Sequence, residues 1–285
     1  MIDQISKTSL MLEILFNEIR LATATGFVIK HNGLYYLATN KHVVTGCNPD
    51  TGKLVSKELA IPNILVINHH VVGGGWVARK IFLYRGDNDP NHDKKKWLEH
   101  PDSHVDVVLV PIEHDSELVF NELPLMLANV DIIPVPAMPI SIVGFPFGRT
   151  ASEKWPIWVT GFIASEPDID IDGKPLFYVS APGREALSGS PVFLRLLNGT
   201  FQTKFHNMIF NGAYVTKFMG IYSGRLVRPA AQVDNQDDSC KCKCHETDAC
   251  KFKYHEFCPC QSVLDVCRVW KPVVFEQIFA ANKVM

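Results

Sequence analysis

The stretch Ala186-Leu187-Ser188-Gly189-Ser190-Pro191 places a serine among small residues, directly before an apolar segment that begins at Val192. Glycine and serine at this spacing favour a tight turn that leads into a β-strand. A serine hydroxyl is a weak nucleophile at neutral pH and needs a base within hydrogen-bond reach. Backbone N–H groups in such a turn can approach a developing oxyanion closely. The stretch therefore predicts a nucleophilic Ser188, provided that a histidine and a carboxylate accompany it.

A histidine suited to act as this base follows a predicted strand near the start of the chain. Leu37-Ala38-Thr39 ends the strand, and Asn40-Lys41-His42-Val43-Val44 forms the turn that presents His42. Histidine is the side chain whose pKa suits proton transfer near neutral pH. By itself this residue would be one of 11 histidines, most of which are expected to be structural.

An acid opens the apolar strand Asp106-Val107-Val108-Leu109-Val110-Pro111, so its carboxylate is expected at the edge of a core. A carboxylate there can hold an imidazole in one tautomer and stabilise the imidazolium that forms. The chain order of histidine, aspartate and serine differs from that of α/β-hydrolases and subtilisins. We therefore predict that His42, Asp106 and Ser188 form a catalytic triad.

These three segments resemble the trypsin-like serine proteases of the chymotrypsin fold, especially the bacterial branch that includes glutamyl endopeptidases and Deg-type proteases. Thr39 to Val44 matches a Thr-x-x-His-Val-Val-like segment, and Asp106 to Leu109 matches an acid-led strand. Ala186 to Pro191 matches Gly-x-Ser-Gly-Gly/Ser-Pro. The resemblance covers residues 20–225 and implies an all-β fold of two antiparallel six-stranded β-barrels, with the cleft between them.

The resemblance also implies an oxyanion hole and a wall for the substrate. The two oxyanion donors of the family are backbone N–H groups, which fall here on Ala186 and Ser188. The family has glycine at the first position, so the Cβ of Ala186 is a departure that restricts the backbone. Gly220-Ile221-Tyr222-Ser223-Gly224 matches the strand that pairs with substrate. We therefore predict three substrate-binding residues, Tyr222, Ser223 and Gly224.

The pattern of strands, loops and helices predicts how the chain is organised. Short apolar strands separated by turn signals recur along most of it, which indicates barrels or a sandwich with helices at the ends. We expect, in chain order, an N-terminal helix over 1–19, a first β-barrel over 20–115, a linker over 116–134, and a second β-barrel over 135–285 that includes a Cys-rich insertion at 227–262 and a C-terminal helix.

The N-terminal helix is predicted from Leu10, Met11, Ile14 and Leu15, which recur at helical spacing. Glu13 interrupts this apolar run, which argues against a cleaved signal peptide. No apolar run in the chain approaches the about 18 residues of a transmembrane helix. We accordingly expect a cytoplasmic protein without a membrane partner.

The composition is that of a folded protein with little net charge. Hydrophobic residues make up 47% of the 285 residues and charged residues 20%, with a formal net charge of -2. No basic stripe is visible, so we expect no nucleic-acid partner. A peptide or protein substrate is the expected partner.

Cysteines are concentrated near the C-terminus. Seven of the eight lie between Cys240 and Cys267, and the remaining one is Cys47. A local cluster of this kind favours a site in a reducing compartment over a disulfide framework. The residues that could hold one structural zinc ion lie within 240–260, namely Cys240, Cys242, Cys244, His245, Cys250, His255, Cys258 and Cys260. Their spacing matches no zinc-finger pattern, and a disordered loop with reactive thiols or local disulfides are the alternatives.

We therefore predict a serine endopeptidase that hydrolyses peptide bonds through an acyl-enzyme intermediate and needs no cofactor for catalysis. The alternative is a catalytically weak binding module of protease fold whose Cys-rich insertion is stabilised by zinc. Trypsin carries its specificity acid six residues before the nucleophile, where this chain has Pro182. We thus expect no preference for Lys or Arg at the cleaved position, and small or medium apolar residues there.

Overall fold

The computed structural model describes residues 2–49, 51–55, 60–91, 94–128, 131–203, 208–226 and 265–284. Strands dominate this part of the chain and form two sheets, one in each half. The predicted all-β class and the double-barrel architecture of the chymotrypsin type are confirmed. The Cys-rich insertion predicted at 227–262 lies outside the described residues.

The first sheet contains eight strands and runs through the N-terminal half of the chain. Its hydrogen-bonded order is β5-β4-β1-β2-β3-β7-β6, with β8 pairing to β4. Two of its strands are only two residues long, which is why it has eight strands where six were expected. The strands are β1 (Ser9–Phe16), β2 (Ile19–His31), β3 (Leu34–Thr39), β4 (Ile64–Val71), β5 (Trp76–Phe82), β6 (Leu98–Glu99), β7 (Val108–Ile112) and β8 (Leu118–Val119).

The predicted N-terminal helix over 1–19 is wrong, because β1 occupies most of that range. Only a short 3₁₀ helix, Ile5–Lys7, precedes the strand. Leu10, Leu12 and Ile14 alternate toward the core, and β1 pairs with β2 on one side and β4 on the other. The apolar stretch from Leu10 to Leu15 contains residues at helical spacing as well as residues at alternating spacing, so backbone pairing with two neighbours decides the outcome.

The second sheet closes into a six-stranded barrel with the order β10-β11-β14-β13-β12-β9. Its first and third strands in sequence, β9 and β11, lie on either side of β10 in the barrel wall. The predicted C-terminal helix follows the last strand as α2 (Val273–Ala281). The strands are β9 (Pro139–Gly144), β10 (Ile157–Ile163), β11 (Leu176–Ser180), β12 (Pro191–Gln202), β13 (Met208–Arg225) and β14 (Val266–Trp270).

One hydrophobic core joins the two sheets. Phe27 of β2 and Phe218 of β13 meet edge to face, with ring centroids 5.7 Å apart. Phe275 of α2 packs against the same Phe27 ring at 6.0 Å. These rings are almost completely buried, so the contact fixes β2 against the second barrel. This docking places the middle of β2 beside the turn that carries Ser188.

Candidate active site

His42 lies in a single turn of helix, α1 (Lys41–Thr45), directly after strand β3. Asn40 precedes the helix with an extended backbone, and its side-chain amide donates a hydrogen bond to the Asp106 carbonyl oxygen at 2.7 Å. The backbone N–H of His42 donates to Asp106 Oδ1 at 2.9 Å. Two bonds thus fix the start of α1 against the segment that carries the acid.

The imidazole of His42 contacts the Asp106 carboxylate directly, with Nδ1 and Oδ2 2.6 Å apart. Asp106 is 3% exposed, whereas the His42 side chain is 18% exposed. An ionised carboxylate only accepts hydrogen bonds, so Nδ1 carries the proton and Nε2 keeps its lone pair. A second donor, Ser223 Oγ, lies 2.6 Å from the same Oδ2. The carboxylate therefore receives three hydrogen bonds from the protein, which fix its orientation toward the His42 ring.

Ser188 lies in the turn between β11 and β12, and this turn is held by strand β2 of the first sheet. The backbone N–H of Thr25 donates to the Ser188 carbonyl oxygen at 2.9 Å. The next residue, Gly189, has a φ of 85° and approaches Thr25 so closely that a Cβ would lie 2.0 Å from its carbonyl oxygen. Glycine is therefore required directly after Ser188, and the serine turn lies directly against β2.

The predicted oxyanion donors are arranged around Ala186, whose φ is 66°. Thr25 Oγ1 donates to the Ala186 carbonyl oxygen at 3.0 Å, and the Phe147 N–H donates to the Glu185 carbonyl oxygen at 2.8 Å. Because N–H and C=O point in opposite directions across a trans peptide, the Ala186 N–H points away from Phe147. Within the described part of the chain, the N–H groups of Ala186 and Ser188 have no hydrogen-bond partner.

Ser188 and His42 both line a cleft whose other walls are mainly apolar. The cleft is open to solvent on one side and has a cavity volume of about 130 Å³, and among its walls are Leu21, Val43 and Val55. Val55 is 60% exposed and forms an open edge. No hydrogen bond joins Ser188 Oγ to the His42 ring among the described residues. In substrate-free enzymes this bond is commonly long and shortens only when substrate binds.

The three residues predicted to bind substrate differ in burial and in the contacts that they make. Tyr222 is 1% exposed, and its hydroxyl donates to the Cys267 sulfur at 3.6 Å. The Ser223 side chain is turned toward Asp106, and Gly224 is half-buried with a φ of 105°. The side chains of Tyr222 and Ser223 thus face the protein interior, since both residues are buried.

Sequence reasoning missed two residues that organise this site. Thr25 receives the Phe145 N–H at 3.2 Å and holds the Ala186 carbonyl, and Ser223 holds the Asp106 carboxylate. Thr25 is an ordinary strand residue in the sequence, so no signal identifies it. The sequence of its segment predicts that Ser223 contacts substrate, and only its three-dimensional position reveals the hydrogen bond to Asp106.

The proposed zinc ligands of the 240–260 cluster lie outside the described residues. In the part that the structure covers, no group of three or more His, Cys, Asp or Glu side chains could hold a metal ion. Cys267 is buried against Tyr222, and burial raises the pKa of its thiol. Among the helices of the described ranges, none has the length and apolar character needed to cross a membrane.

Comparison with known proteins connects this geometry to a family. The family described as "Trypsin-like peptidase domain" matches residues 24–197, which is more than half of the chain and includes all three predicted triad residues. No curated protein sequence matches the chain. The narrower resemblance to the glutamyl-endopeptidase and Deg-type branch stays a prediction.

Two solved structures are similar to this chain at low identity. The active form of the Rv3671c protease from M. tuberculosis is 14% identical, with a TM-score of 0.44, over 96% of this chain and 80% of that one. The serine endoprotease from Yersinia pestis is 13% identical, with a TM-score of 0.41, over 79% of this chain and 58% of that one. On the family match, the chain belongs to the trypsin-like peptidases and is a serine protease that acts on peptide or protein substrates.

Proposed function

We propose that the chain is an endopeptidase that uses His42, Asp106 and Ser188 as its triad. The observation that carries this proposal is the 2.6 Å contact between His42 Nδ1 and Asp106 Oδ2 beside a cleft that Ser188 also lines. It supplies an oriented imidazole with a free Nε2 lone pair next to a serine hydroxyl. These are the requirements for activating a hydroxyl nucleophile.

The reaction proceeds in two halves. Ser188 Oγ attacks the peptide carbonyl carbon while His42 Nε2 takes the hydroxyl proton, and the tetrahedral intermediate carries its negative charge on the former carbonyl oxygen. The imidazolium then gives its proton to the leaving amine, and the acyl group remains on Ser188. A water molecule repeats the attack with His42 as base, which releases the acid and restores the serine.

The oxyanion of each intermediate is held by the N–H groups of Ala186 and Ser188. Their lack of a protein partner among the described residues supports this assignment, because an unpaired donor beside the nucleophile is available to the oxyanion. Loss of one such donor removes about 3 kcal/mol of transition-state stabilisation. Ala186 has the positive φ that glycine adopts easily at this position, so its N–H keeps the orientation that the oxyanion hole requires.

The residues after the scissile bond are proposed to occupy the apolar cleft between Val43 and Val55. The segment Tyr222 to Gly224, which the family uses on the acyl side, contacts Asp106 and the serine turn and does not line this cleft. The leaving-group side of the substrate therefore binds in the apolar cleft. The walls of this cleft come almost entirely from the first sheet and its loops.

Labelling by a fluorophosphonate tests the triad. The reagent is expected to modify wild-type enzyme at Ser188, and Ser188→Ala should abolish labelling and lower kcat by about 10⁴- to 10⁶-fold. Ser190→Ala is the matched control, because Ser190 Oγ is buried and has no hydrogen-bond partner among the described residues. Unchanged labelling of Ser188→Ala would refute the assignment, and a binding module without catalysis would show no labelling at all.

A further inference from the structure

The loop over residues 145–156, which joins β9 to β10, reaches from the second barrel to the first sheet. Near its end, Lys154 Nζ donates a hydrogen bond to Asn68 Oδ1 of β4, and Asn68 is completely buried. The half-buried Trp155 ring packs against two rings of the first sheet, with its centroid 5.2 Å from that of His70 and 5.3 Å from that of Trp76. We call these five residues the clasp.

The backbone next to the clasp has an uncommon conformation. Three consecutive non-glycine residues, Ser152, Glu153 and Lys154, have positive φ values of 63°, 40° and 68°. The turn is closed by the Trp155 N–H, which donates to the Ser152 carbonyl oxygen at 2.9 Å, and by the Ala151 N–H, which donates to the Trp155 carbonyl oxygen at 2.9 Å. Left-handed residues other than glycine persist only where their surroundings hold them. The contacts of the clasp therefore help to hold this turn.

The start of the same loop contacts the serine turn. It forms a short 3₁₀ helix, Pro146–Gly148, in which Phe147 also has a positive φ, 56°. The Phe147 N–H donates to the Glu185 carbonyl oxygen at 2.8 Å. Because this carbonyl and the Ala186 N–H belong to one trans peptide group, the bond also fixes the direction of the oxyanion donor proposed at Ala186. A flip of that peptide would turn the donor away from the oxyanion.

Strand β2 supports the start of the loop, whereas the clasp supports its end. The Phe145 N–H donates to Thr25 Oγ1 at 3.2 Å, and a Cβ on Gly148 would stand 2.8 Å from Thr23 Oγ1. Residues 149–153 are exposed or only half-buried. Within the described ranges, the next side-chain hydrogen bond from the loop to the first sheet is that of Lys154. The left-handed residues of the loop thus lie between two points of attachment to the first sheet.

We propose that Trp155 and Lys154 are positioning residues for the oxyanion hole. They act through Phe147, whose bond to Glu185 orients the Ala186 N–H. With the clasp open, the left-handed residues of the loop can relax to ordinary backbone conformations, so the peptide group held by Phe147 loses its fixed orientation. This inference rests on the proposed function, because it adds residues that orient one of the two oxyanion donors proposed there.

Trp155→Ala opens the clasp, and the kinetic constants of peptide hydrolysis report the effect on the oxyanion hole. An oxyanion donor acts in the transition state and not on the bound peptide, so kcat should fall by about tenfold or more while KM changes by less than about twofold. Trp155→Phe keeps a ring against His70 and should retain most of kcat. Lys154→Met removes the hydrogen bond to Asn68 but keeps a long side chain, so it should lower kcat by a smaller factor than Trp155→Ala.

Phe120→Ala is the matched control for the loss of aromatic packing. Phe120 is also half-buried and also packs against a histidine of β4, with its centroid 5.2 Å from that of His69. It directly follows β8 and is not part of the clasp. We expect this variant to lose stability without a loss of kcat.

Amide hydrogen exchange of Phe147, measured by NMR, gives a readout that needs no substrate. Its N–H is protected by the bond to the Glu185 carbonyl oxygen, and local opening of this bond permits exchange. In Trp155→Ala the Phe147 amide should exchange faster than in the wild type by about tenfold or more, if the clasp holds the loop. In Phe120→Ala its exchange should stay at the wild-type rate.

The outcomes separate this inference from the proposed triad. An unchanged kcat in Trp155→Ala, or an equal fall of kcat in Phe120→Ala, overturns the positioning role, and fluorophosphonate labelling at Ser188 leaves the protease assignment intact. Lower kcat without faster exchange of the Phe147 amide overturns the route through Phe147. If Trp155→Ala does not fold, Lys154→Met is compared with the wild type by the same two measurements. Absence of labelling and of cleavage in the wild type overturns the triad, and amide exchange still decides whether the clasp holds the serine turn.

Discussion

Two adjacent buried histidines in β4 should make the fold sensitive to acid. His69 is 3% exposed and His70 is 9% exposed. Burial lowers the pKa of each to about 4; Arg79 adds to this effect for His69, and a hydrogen bond to the backbone of Lys7 opposes it for His70. His69 Nδ1 and His70 Nε2 have no hydrogen-bond partner among the described residues. The folded state therefore holds both imidazoles in the neutral form near neutral pH.

The sign of the effect follows from the pKa difference between folded and unfolded chains. In the unfolded chain each histidine has the ordinary pKa of its side chain, 6.5. Between this value and about 4 the unfolded state binds more protons, so the free energy of unfolding falls as the pH falls. At pH 5 the loss is about 2 kcal/mol per histidine, or about 4 kcal/mol for both. That is a large part of the about 5–15 kcal/mol that stabilises a typical domain.

Urea unfolding at about pH 7.5 and about pH 5 measures this loss. His70→Phe removes one titrating group but keeps a ring against Trp76, whose centroid lies 3.8 Å from the His70 ring. We expect the variant to lose about 2 kcal/mol less than the wild type between the two pH values. His104→Gln is the control, because the His104 side chain is 69% exposed. An equal pH dependence in His70→Phe and the wild type would refute the reasoning.

Three further predictions concern the active site. Ala186→Gly relieves a left-handed backbone that costs a non-glycine residue about 1–2 kcal/mol, so stability and kcat/KM should be retained or rise, and a tenfold loss of kcat/KM would contradict this. Ser223→Ala removes a donor to a buried carboxylate, and kcat should fall by about tenfold or more with little change in KM, whereas an equal rise in KM would indicate a role in substrate binding. Val55→Glu replaces an apolar wall of the cleft by a charged one, so the cleft should favour an apolar acceptor less. Acyl transfer to leucine amide relative to glycine amide should fall by about fivefold. Val72→Glu, at a residue 66% exposed and outside the cleft, should leave that ratio unchanged.

The residues of the candidate triad could be predicted because the sequence on either side of each one determines the local strand or turn in which it lies. Asp106 precedes an apolar strand, His42 follows one, and Ser188 stands in a turn that requires Gly189. Composition and spacing alone do not predict that these three residues lie close together in the folded chain. That prediction depends on their order in the chain and on the family resemblance. The 2.6 Å contact between His42 and Asp106 depends on β3 pairing with β7, which is a tertiary property.

The features that the sequence did not predict are those set by contacts between distant segments. β1 has apolar residues that fit either a helix or a strand, and pairing with β2 and β4 selects the strand. Thr25 and Arg225 are unremarkable in the sequence, yet each reaches a partner on the serine turn more than 40 residues away. Local propensity carries no information about such contacts, so they are found only in the folded chain.

The two halves of the molecule hold each other's candidate catalytic groups. Thr25 of the first sheet binds the backbone of Ala186 and Ser188 in the second, and Ser223 of the second barrel binds the carboxylate of Asp106, which belongs to the first. A small displacement between the halves would therefore stretch both sets of bonds at once. The shared aromatic core around Phe27 resists such displacement because its rings come from both sheets and from α2. The geometry of the proposed triad is thus coupled to the packing between the halves, and changes at Phe27 should impair the activity of this triad although Phe27 does not contact it.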